Sequence, residues 1–442
     1  MITSEQPGFH KLSARERIDI IKEFRGLTDE DACLLYEDFA PKEIFKDHNQ
    51  WKEYASNKLE EYAQQWGENT IGKFAYFPLR IAPNFLIDRK DYLIPMAIEE
   101  PSVAAAASYA ASLARKGGGF ETEYTGSNMY GQIQVINVTD PQGAIQKLSD
   151  AKTRLLELAN KQDPTLLNAG GGAKDLDVVD AIKTDNGYML IAHLLVDVKD
   201  VMGANAVNTM VEAISPEIED ITGNAVNLKI ISNLAVKRLA RSKCKIPIKE
   251  LARENFSGEE VAERILSAYD FALENKYRAT THNKGIMNGV DAVLLATGQD
   301  FRAVEAGAHS YASRSGKYTS LTTCARDADS LLLEIEIPMA VGVYGGIKDS
   351  KSQLAKKILG VKTSEEFAGV LASVGLAQNF GAVRALATEG IQEGHMRLHA
   401  KQLVEQIDAG EYKGAVLREM LSRKDPITFD NAAKILKELK SK

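Results

Sequence analysis

The chain of 442 residues has few of the features that mark secreted or membrane-spanning proteins. Its three cysteines, Cys33, Cys244 and Cys324, lie far apart, so the sequence carries neither a disulfide framework nor a metal-type cysteine pair. The N-terminus lacks a basic region followed by an apolar run. No segment approaches the roughly 18 apolar residues that a membrane helix needs. We therefore expect a cytoplasmic protein.

The charge balance excludes a second group of functions. Lysine and arginine number 54 against 61 aspartate and glutamate residues, which gives a formal net charge of −7. General nucleic-acid binding requires the opposite balance, so we expect a small-molecule substrate, no nucleic acid and no membrane. The 44% hydrophobic and 26% charged residues are typical of globular proteins, and the length favours about three domains.

The sequence also lacks the two common nucleotide-binding loops, Gly-x-Gly-x-x-Gly after a strand and the Walker A phosphate loop. The best remaining candidate is 197–205, Asp-Val-Lys-Asp-Val-Met-Gly-Ala-Asn, which ends a predicted strand and begins a predicted helix. Free N–H groups at a helix start bind anions, and Gly203 permits a close approach. An ordinary strand–helix turn is the alternative.

The most informative segment that is present spans residues 278–309. Lys284, Asn288 and Asp291 follow helical spacing as one polar stripe on an otherwise apolar helix. Charges in such a setting should be paired or should take part in chemistry. The plainer alternatives are that Lys284 extends to the surface and that Asp300 caps the next predicted helix.

Two further motifs carry ionisable groups. Glu99 and Glu100 precede Pro-Ser102 and an apolar helix, where they could simply favour the helix start. His395 and His399 are four residues apart, but no third ligand has suitable spacing, so no metal site is predicted. An exposed histidine without a role is the alternative there.

The pattern between residues 132 and 232 predicts a compact unit. Strands at 132–138, 175–182, 187–198 and 227–232 alternate with helices at 141–161 and 203–220. This order, β-α-β-β-α-β, is that of a ferredoxin-like fold. Residues 237–390 read as largely helical with some strand, and the tail from 392 reads as helical and charged.

Together these motifs resemble the 3-hydroxy-3-methylglutaryl-coenzyme A reductases of the soluble, bacterial type (class II). The segment 278–309, Glu-Glu-Pro-Ser, Glu-Gly-His-Met and a near match to Asp-Ala-Met-Gly-Ala-Asn, with Val201 in place of the usual Ala, carry the likeness. The resemblance implies catalytic roles for Glu100, Lys284, Asp300 and His395, substrate contacts from Ser102, Arg278, Asn288, Gln378 and Asn379, and cofactor contacts from Asp200, Met202, Gly203, Ala204 and Asn205.

The resemblance also bears on the cofactor. Asp163 matches a position where relatives that use NAD carry an acid, and a carboxylate accepts bonds from ribose hydroxyls and repels a 2′-phosphate. NAD(H) is therefore favoured, with NADP(H) as the alternative cofactor. For Asp163 itself, the alternative is a solvated residue without a role. Coenzyme A would arrive as part of the substrate. His10 stands where some relatives use an arginine for its phosphates, with Lys11 as a substitute.

The implied architecture is α+β: a large, mainly helical substrate domain (1–125 and 237–391), an inserted ferredoxin-like cofactor domain (126–236) and a C-terminal helical flap (392–442). The implied reaction reduces the acyl thioester to mevalonate and CoA in two hydride transfers, or runs in reverse. A homodimer with shared active sites, able to assemble further, is implied too. The alternatives are an NADPH-preferring reductase of this family, a CoA-binding regulatory protein without turnover, and a non-redox CoA thioester lyase.

Overall fold

The computed structural model describes residues 3, 14–28, 77–253, 255–347, 349–388, 390, 400, 403–404, 407, 409–423 and 426–441. Ten strands lie in this part of the chain: β1 (Leu79–Ile87), β2 (Lys90–Ala97), β3 (Phe120–Tyr124), β4 (Asn128–Val138), β5 (Gly172–Thr184), β6 (Gly187–Asp197), β7 (Val226–Ile231), β8 (Leu239–Pro247), β9 (Thr322–Asp327) and β10 (Ser330–Pro338).

Thirteen α-helices lie in the same described ranges. They are α1 (Ala14–Arg25), α2 (Pro101–Lys116), α3 (Pro141–Asp150), α4 (Lys152–Asn160), α5 (Pro164–Asn168), α6 (Ala204–Thr222), α7 (Gly258–Glu274), α8 (Lys276–Ala296), α9 (Phe301–Tyr311), α10 (Ser350–Leu359), α11 (Ser364–Ala387), α12 (Lys413–Ser422) and α13 (Phe429–Lys440).

The larger sheet has six strands in the order β2-β1-β3-β8-β10-β9. All neighbours are antiparallel except β1 and β3, which pair in parallel through Ile87 and Phe120. Because the chain leaves this sheet after β3 and returns at β8, the whole second sheet is an insertion between two adjacent strands. The two crossings, the points where the chain leaves the larger sheet near Tyr124 and returns to it near Leu239, are therefore neighbours in space.

Helices α8 and α11 pack against each other, and both pack against the larger sheet. Residues 367–381 of α11 are all buried, and α8 buries one face while it leaves a polar stripe uncovered. By length and composition α11 could span a membrane, yet 78% of its apolar window is buried inside the protein. Such burial is typical of a core helix in a large domain.

The smaller sheet has four antiparallel strands in the order β5-β6-β4-β7. In chain order this is strand 2-3-1-4, the ferredoxin-like arrangement that the alternation of patterns predicts. Helices α3, α4 and α6 cover one face, where the inward residues of β4 and β6 alternate with outward ones. Its hydrophobic core is separate from that of the larger sheet.

The predicted α+β fold is confirmed, with two differences in detail. The helix predicted over 141–161 is divided at Ala151, which ends α3 and precedes α4. The substrate part also contains more sheet than the pattern indicated, since β3, β8 and β9 join the predicted strand at 331–337. The C-terminal helices α12 and α13 pack on each other around a small core of their own. The domain boundaries and the motion of a flap stay predictions.

Candidate active site and cofactor loop

Helix α8 carries the predicted substrate and catalytic groups on its uncovered stripe. Asn275 begins the helix by accepting a bond from the Arg278 backbone N–H at 3.0 Å. Arg278 is half-buried, and this burial lowers its pKa. Lys284 is exposed, and none of the described residues pairs with its ammonium group. Lys284 therefore reaches the surface of the stripe, and its catalytic role stays a prediction.

Asp291 is the buried end of the same stripe. Its Oδ1 atom is enclosed and has no hydrogen-bond partner among the described residues. Burial, and to a smaller extent the charge of the neighbouring Glu305 of α9, raise the pKa of Asp291 to about 7. One end of the stripe on α8 therefore carries the solvated ammonium group of Lys284, and the other end carries the carboxyl group of Asp291, which readily keeps its proton.

Asp300 caps helix α9, as its alternative interpretation held. One carboxylate oxygen accepts from the Ala303 backbone N–H at 3.2 Å, and the Arg302 Nε atom lies 3.4 Å from the same oxygen. No ion pair joins Asp300 to Lys284 among the described residues. A capping carboxylate keeps a second oxygen for another partner, so the pairing with Lys284 stays a prediction.

Glu100 stands at the N-cap position of α2, and its side chain makes no capping bond. The Ser102 hydroxyl donates to the Glu100 carboxylate instead, and both residues are half-buried. Strand β2, which leads to this motif, packs against α8. The two predicted residues therefore touch each other on the element next to the catalytic helix.

Gln378 and Asn379 are adjacent on α11, but the structure gives them different surroundings. Gln378 crosses α8 at Gly289, where an added Cβ would lie 2.8 Å from the Gln378 Cβ. Its Oε1 atom is buried, and no described residue donates a hydrogen bond to it, so it still has the capacity to accept one. Next to this crossing, Gly285 has no atom within 4 Å of the place where its Cβ would be. Gln378 therefore crosses α8 about one turn away from this open position.

Asn379 lies in a buried hydrogen-bond network. Its Oδ1 atom accepts from the hydroxyl groups of Tyr269 at 2.9 Å and Thr322 at 3.1 Å, and its Nδ2 atom donates to the His282 carbonyl at 3.3 Å. These bonds already use most of the amide and give Asn379 a structural role, and the predicted substrate contact stays a prediction.

His282, which the sequence analysis did not select, belongs to the same network. Its Nε2 atom shares a hydrogen bond of 2.6 Å with the Thr322 hydroxyl, and its buried Nδ1 atom has no partner in the part of the chain that the structure describes. Burial, and then the charge of Arg278, lower the pKa of His282 to about 3. The ring is therefore neutral at ordinary pH, and it supports α8 two residues before Lys284.

The predicted cofactor loop runs from Val198 to the start of α6 at Ala204. Gly203 has a φ of 100°, the left-handed conformation that a side chain strains, and a Cβ there would lie 2.5 Å from Val198. The first turn of α6 has no side-chain cap. Met202 and Ala204 are half-buried and Asn205 is exposed. The loop therefore presents an uncapped helix start close to the surface, which suits an anion.

Asp200, predicted to touch the cofactor, is fastened to the substrate part of the chain. Its carboxylate accepts from the backbone N–H of Ser364, the first residue of α11, at 2.6 Å. The Ser364 hydroxyl in turn donates to the Lys199 carbonyl at 3.2 Å. Asp200 thus anchors the loop to the helix that carries Gln378.

Asp163 is the N-cap of α5, where it accepts from the Leu166 backbone N–H at 2.8 Å. It begins the following helix and does not merely end the preceding one. The Leu166 side chain packs on Gly171, and a Cβ on Gly171 would also lie 2.6 Å from the Asp197 carbonyl oxygen. The α5 turn is therefore in contact with the strand end that leads into the cofactor loop.

Gln299 and Gly342, to which the sequence assigns no role, connect the two parts of the site. The Gly342 backbone N–H donates to the Gln299 Oε1 atom at 3.3 Å. A Cβ on Gly342 would meet the Val201 Cα atom at 2.6 Å, so the cofactor loop lies directly against this backbone. Gln299 immediately precedes Asp300. Gly342 therefore connects the segment that holds Asp300 with the cofactor loop.

Several predicted groups lie outside the described residues: His395, His399, His10 and Lys11. Among the residues that are described, no cluster of three histidine, cysteine or acidic side chains could hold a metal ion.

Comparisons with known proteins agree with this architecture. A family model described as hydroxymethylglutaryl-coenzyme A reductase matches residues 38–400. The 3-hydroxy-3-methylglutaryl-coenzyme A reductase of Archaeoglobus fulgidus is 51% identical, covering 100% of this chain and 96% of that protein. A probable reductase of the same name from Borreliella burgdorferi is 34% identical, over 88% of this chain and 89% of that protein.

Solved structures give the same result. A 3-hydroxy-3-methylglutaryl-coenzyme A reductase from Streptococcus pneumoniae has a TM-score of 0.79 and 37% identity, covering 98% of this chain and 100% of that chain. A structure of the class II enzyme from this organism, described as bound to NADPH in open conformations, has a TM-score of 0.78 and 38% identity, covering 87% of this chain and 100% of that chain.

The fold and the matches first define a class: an oxidoreductase with a ferredoxin-like unit inserted beside a larger sheet-and-helix core. More particularly, the chain belongs to the hydroxymethylglutaryl-coenzyme A reductase family, and its structural likeness is to the class II enzyme. The predicted family is therefore confirmed.

Proposed function

We propose that this reductase converts 3-hydroxy-3-methylglutaryl-CoA to mevalonate and free CoA, with NAD(H) as the preferred cofactor. The thioester carbonyl gains four electrons in two steps, so one turnover consumes two hydrides and two protons. The nicotinamide cofactor supplies the hydride at each step when it is bound. The observation that carries the proposal is the unpaired Lys284 ammonium on the open stripe of the core helix α8.

Each hydride transfer places negative charge on the substrate oxygen, first in the thioester and then in the aldehyde. A cation beside that oxygen stabilises both transition states. Lys284 has no protein partner among the described residues, so its charge is available for this oxygen. We assign the orientation of Lys284 to the second carboxylate oxygen of Asp300.

The remaining groups bind substrate or move protons. Arg278 and Asn288 orient the terminal carboxylate and the hydroxyl of the substrate, with Gln378 and Ser102 as further polar contacts. Glu100 supplies the proton to the oxygen. The thiolate that leaves the hemithioacetal has a pKa near ~8.5, so a histidine with a pKa near ~6.5 can protonate it, and we assign that step to His395.

The preference for NAD(H) rests on Asp163. Its helix α5 touches the strand end that leads to the cofactor loop, and a carboxylate at that position favours ribose hydroxyls over a 2′-phosphate. The Streptococcus pneumoniae structure is described as bound to NADPH, so both cofactors have to be compared.

We further propose a cytoplasmic homodimer with shared sites. The exposed Tyr277 and Phe271, 76% and 56% accessible near Arg278, supply apolar surface for such contact.

The experiment is a spectrophotometric assay of NADH and NADPH oxidation with 3-hydroxy-3-methylglutaryl-CoA, together with the reverse reaction from mevalonate and CoA. We expect oxidation of about two cofactor molecules per substrate and a higher kcat/KM with NADH. Absence of substrate-dependent oxidation with either cofactor would refute the proposal. Light scattering should give twice the mass of the single chain.

The cofactor assignment is tested by Asp163→Asn, which keeps a capping side chain but removes the charge. Asp140→Asn is a matched control, because Asp140 caps α3 through the Gly143 N–H at 3.0 Å and also precedes a proline. We expect the ratio of kcat/KM for NADH to that for NADPH to fall about 10-fold only in Asp163→Asn. An NADPH preference that Asp163→Asn leaves unchanged would contradict the assignment.

A further inference from the structure

Arg238 has the largest fully buried side chain among the described residues, with 0% of its surface accessible. Among the described residues, no carboxylate lies within 4 Å of its guanidinium group. Its bonds go to the Tyr124 hydroxyl at 2.7 Å, the Val341 carbonyl at 2.7 Å, and the carbonyls of Val201 and Met202, both at 3.1 Å. A buried charge without an opposite charge is costly, so such an arginine calls for an explanation.

Two of these bonds fix the direction of the cofactor loop. In a trans peptide the carbonyl of one residue and the N–H of the next point in opposite directions. Because Arg238 holds the carbonyls of Val201 and Met202, the N–H groups of Met202 and Gly203 point away from it. None of the described residues accepts from these two N–H groups or from that of Ala204. The loop therefore presents consecutive free donors, as anion-binding backbone nests do.

The position of Arg238 explains how the loop keeps this shape. Tyr124 ends the strand from which the chain leaves for the ferredoxin-like unit, and Arg238 precedes β8, where the chain returns. Gly342, next to Val341, leaves no room for a side chain between this backbone and Val201. One guanidinium group thus joins both crossings and the segment after β10 to the cofactor loop.

We propose that Arg238 is the positioning residue of the cofactor site. It holds the loop so that the N–H groups of Met202 and Gly203 face the pyrophosphate of the nicotinamide cofactor, and its charge attracts that anion through the loop. The inference rests on the proposed function, since it needs a dinucleotide at this loop. It assigns Arg238 no contact with the reacting atoms.

The test compares Arg238→Gln, which removes the charge, with Arg238→Lys, which keeps it. Arg115→Gln is the control, because Arg115 bonds to the Asn84 carbonyl and pairs with Asp91 inside the larger sheet part, away from the loop. NADH binding is measured by fluorescence, and binding of ADP-ribose, which has the pyrophosphate but no nicotinamide, by calorimetry.

We expect Arg238→Gln to weaken both ligands by about 10- to 100-fold, while KM for the thioester changes less than about 2-fold. Arg238→Lys should recover part of the affinity, and Arg115→Gln should bind both ligands as the wild type does. If Arg238→Gln does not fold, Gly342→Ala displaces the same loop and should give the same selective loss.

Unchanged affinity for NADH and ADP-ribose in folded Arg238→Gln, or an equal rise in thioester KM, would overturn the inference and leave the proposed function intact. Loss of NADH affinity with normal ADP-ribose affinity would also overturn it, because the pyrophosphate would then not be the group that the loop receives. Failure of the wild type to bind either nucleotide would instead refute the proposed function.

Discussion

The cofactor loop and the stripe of helix α8 both carry groups of the site, yet protein bonds fix one and leave the other open. In the loop, carbonyls bond to the buried Arg238, and the Asp200 carboxylate bonds to the start of α11. On α8, neither the Lys284 ammonium group nor the buried Oδ1 atom of Asp291 has a partner among the described residues, and the same holds for the Oε1 atom of Gln378 on the facing helix α11.

This difference indicates how each part meets its ligand. The loop has its backbone donors arranged in advance, so cofactor binding needs little rearrangement there. The stripe holds polar groups whose partners the substrate would supply, at a cost in stability while the site is empty. Variants in the loop should therefore change cofactor affinity, and variants on the stripe should change turnover or stability.

The largest effect is expected at Lys284. Lys284→Met should lower kcat by about 10²- to 10³-fold, because it removes the cation beside the substrate oxygen. The midpoint of thermal unfolding should hardly change, since no described protein partner is lost. The control Lys317→Met removes an exposed lysine paired with Glu274 at 2.9 Å and should leave kcat unchanged. A kcat within about 3-fold of wild type in Lys284→Met would break the comparison.

The next largest effect is expected in the cofactor loop, and it is tested by comparing the two glycines at the ends of helix α6. Gly203→Ala should raise KM for NADH by about 10- to 100-fold, because its Cβ would meet Val198 and displace the loop. Gly223, at the other end of the helix, has a φ of 69° and no atom within 4 Å of its Cβ position. Gly223→Ala carries similar backbone strain and should leave KM unchanged. Equal rises in KM would mean that the loop's placement does not matter.

Substitutions of the adjacent Gln378 and Asn379 should affect different properties, KM for the thioester and stability respectively. Asn379→Ala should lower the free energy of unfolding by about 2–3 kcal/mol, because it removes the buried oxygen that accepts from the hydroxyl groups of Tyr269 and Thr322. Gln378→Ala should cost little stability and raise the thioester KM by up to about 10-fold. Denaturant unfolding and steady-state kinetics on both variants measure the contrast. The opposite pattern would make Asn379 the substrate contact.

The smallest effect is a pH dependence from Asp291. Its pKa of about 7 in the folded protein lies above the value near ~3.9 in an unfolded chain. The folded state therefore keeps a proton that the unfolded chain has released, so this contribution to stability is present below about pH 4 and is lost as the pH rises through about 7. Asp291→Asn should remove that loss.

We expect Asp291→Asn to gain about 1–2 kcal/mol over wild type between about pH 5 and pH 8. The measurement is the difference in unfolding midpoint at the two pH values. Asp270→Asn, an exposed aspartate on the neighbouring helix α7, is the matched control and should show no such gain. A constant difference between Asp291→Asn and wild type across this range would contradict the prediction.

Local patterns were sufficient for the ferredoxin-like unit and for most of its strand ends. The alternation in β4 and β6 and the turn before Gly187 are short-range signals, and they predict the elements within a few residues. The short strand β3 escaped prediction because five alternating residues are too few to identify a strand by themselves. It becomes a strand by pairing with β8, more than a hundred residues away.

The role of Arg238 could not be predicted in the same way. Between Lys237 and Leu239 it reads as an ordinary surface charge. Its partners Val201, Val341 and Tyr124 are 37, 103 and 114 residues distant along the chain. No short stretch of sequence contains Arg238 together with any of these partners, so only the folded chain reveals the cluster.

The sequence by itself determined the family, the order of the elements and the identity of the chemical groups, because motifs and periodicity are properties of neighbouring residues. The tertiary structure decided which groups are paired. It made Asp300 a helix cap, placed Asn379 in a buried network, left Lys284 open and enclosed Arg238 behind the cofactor loop. Burial and pairing depend on distance through space, and that distance is fixed only when remote segments pack together.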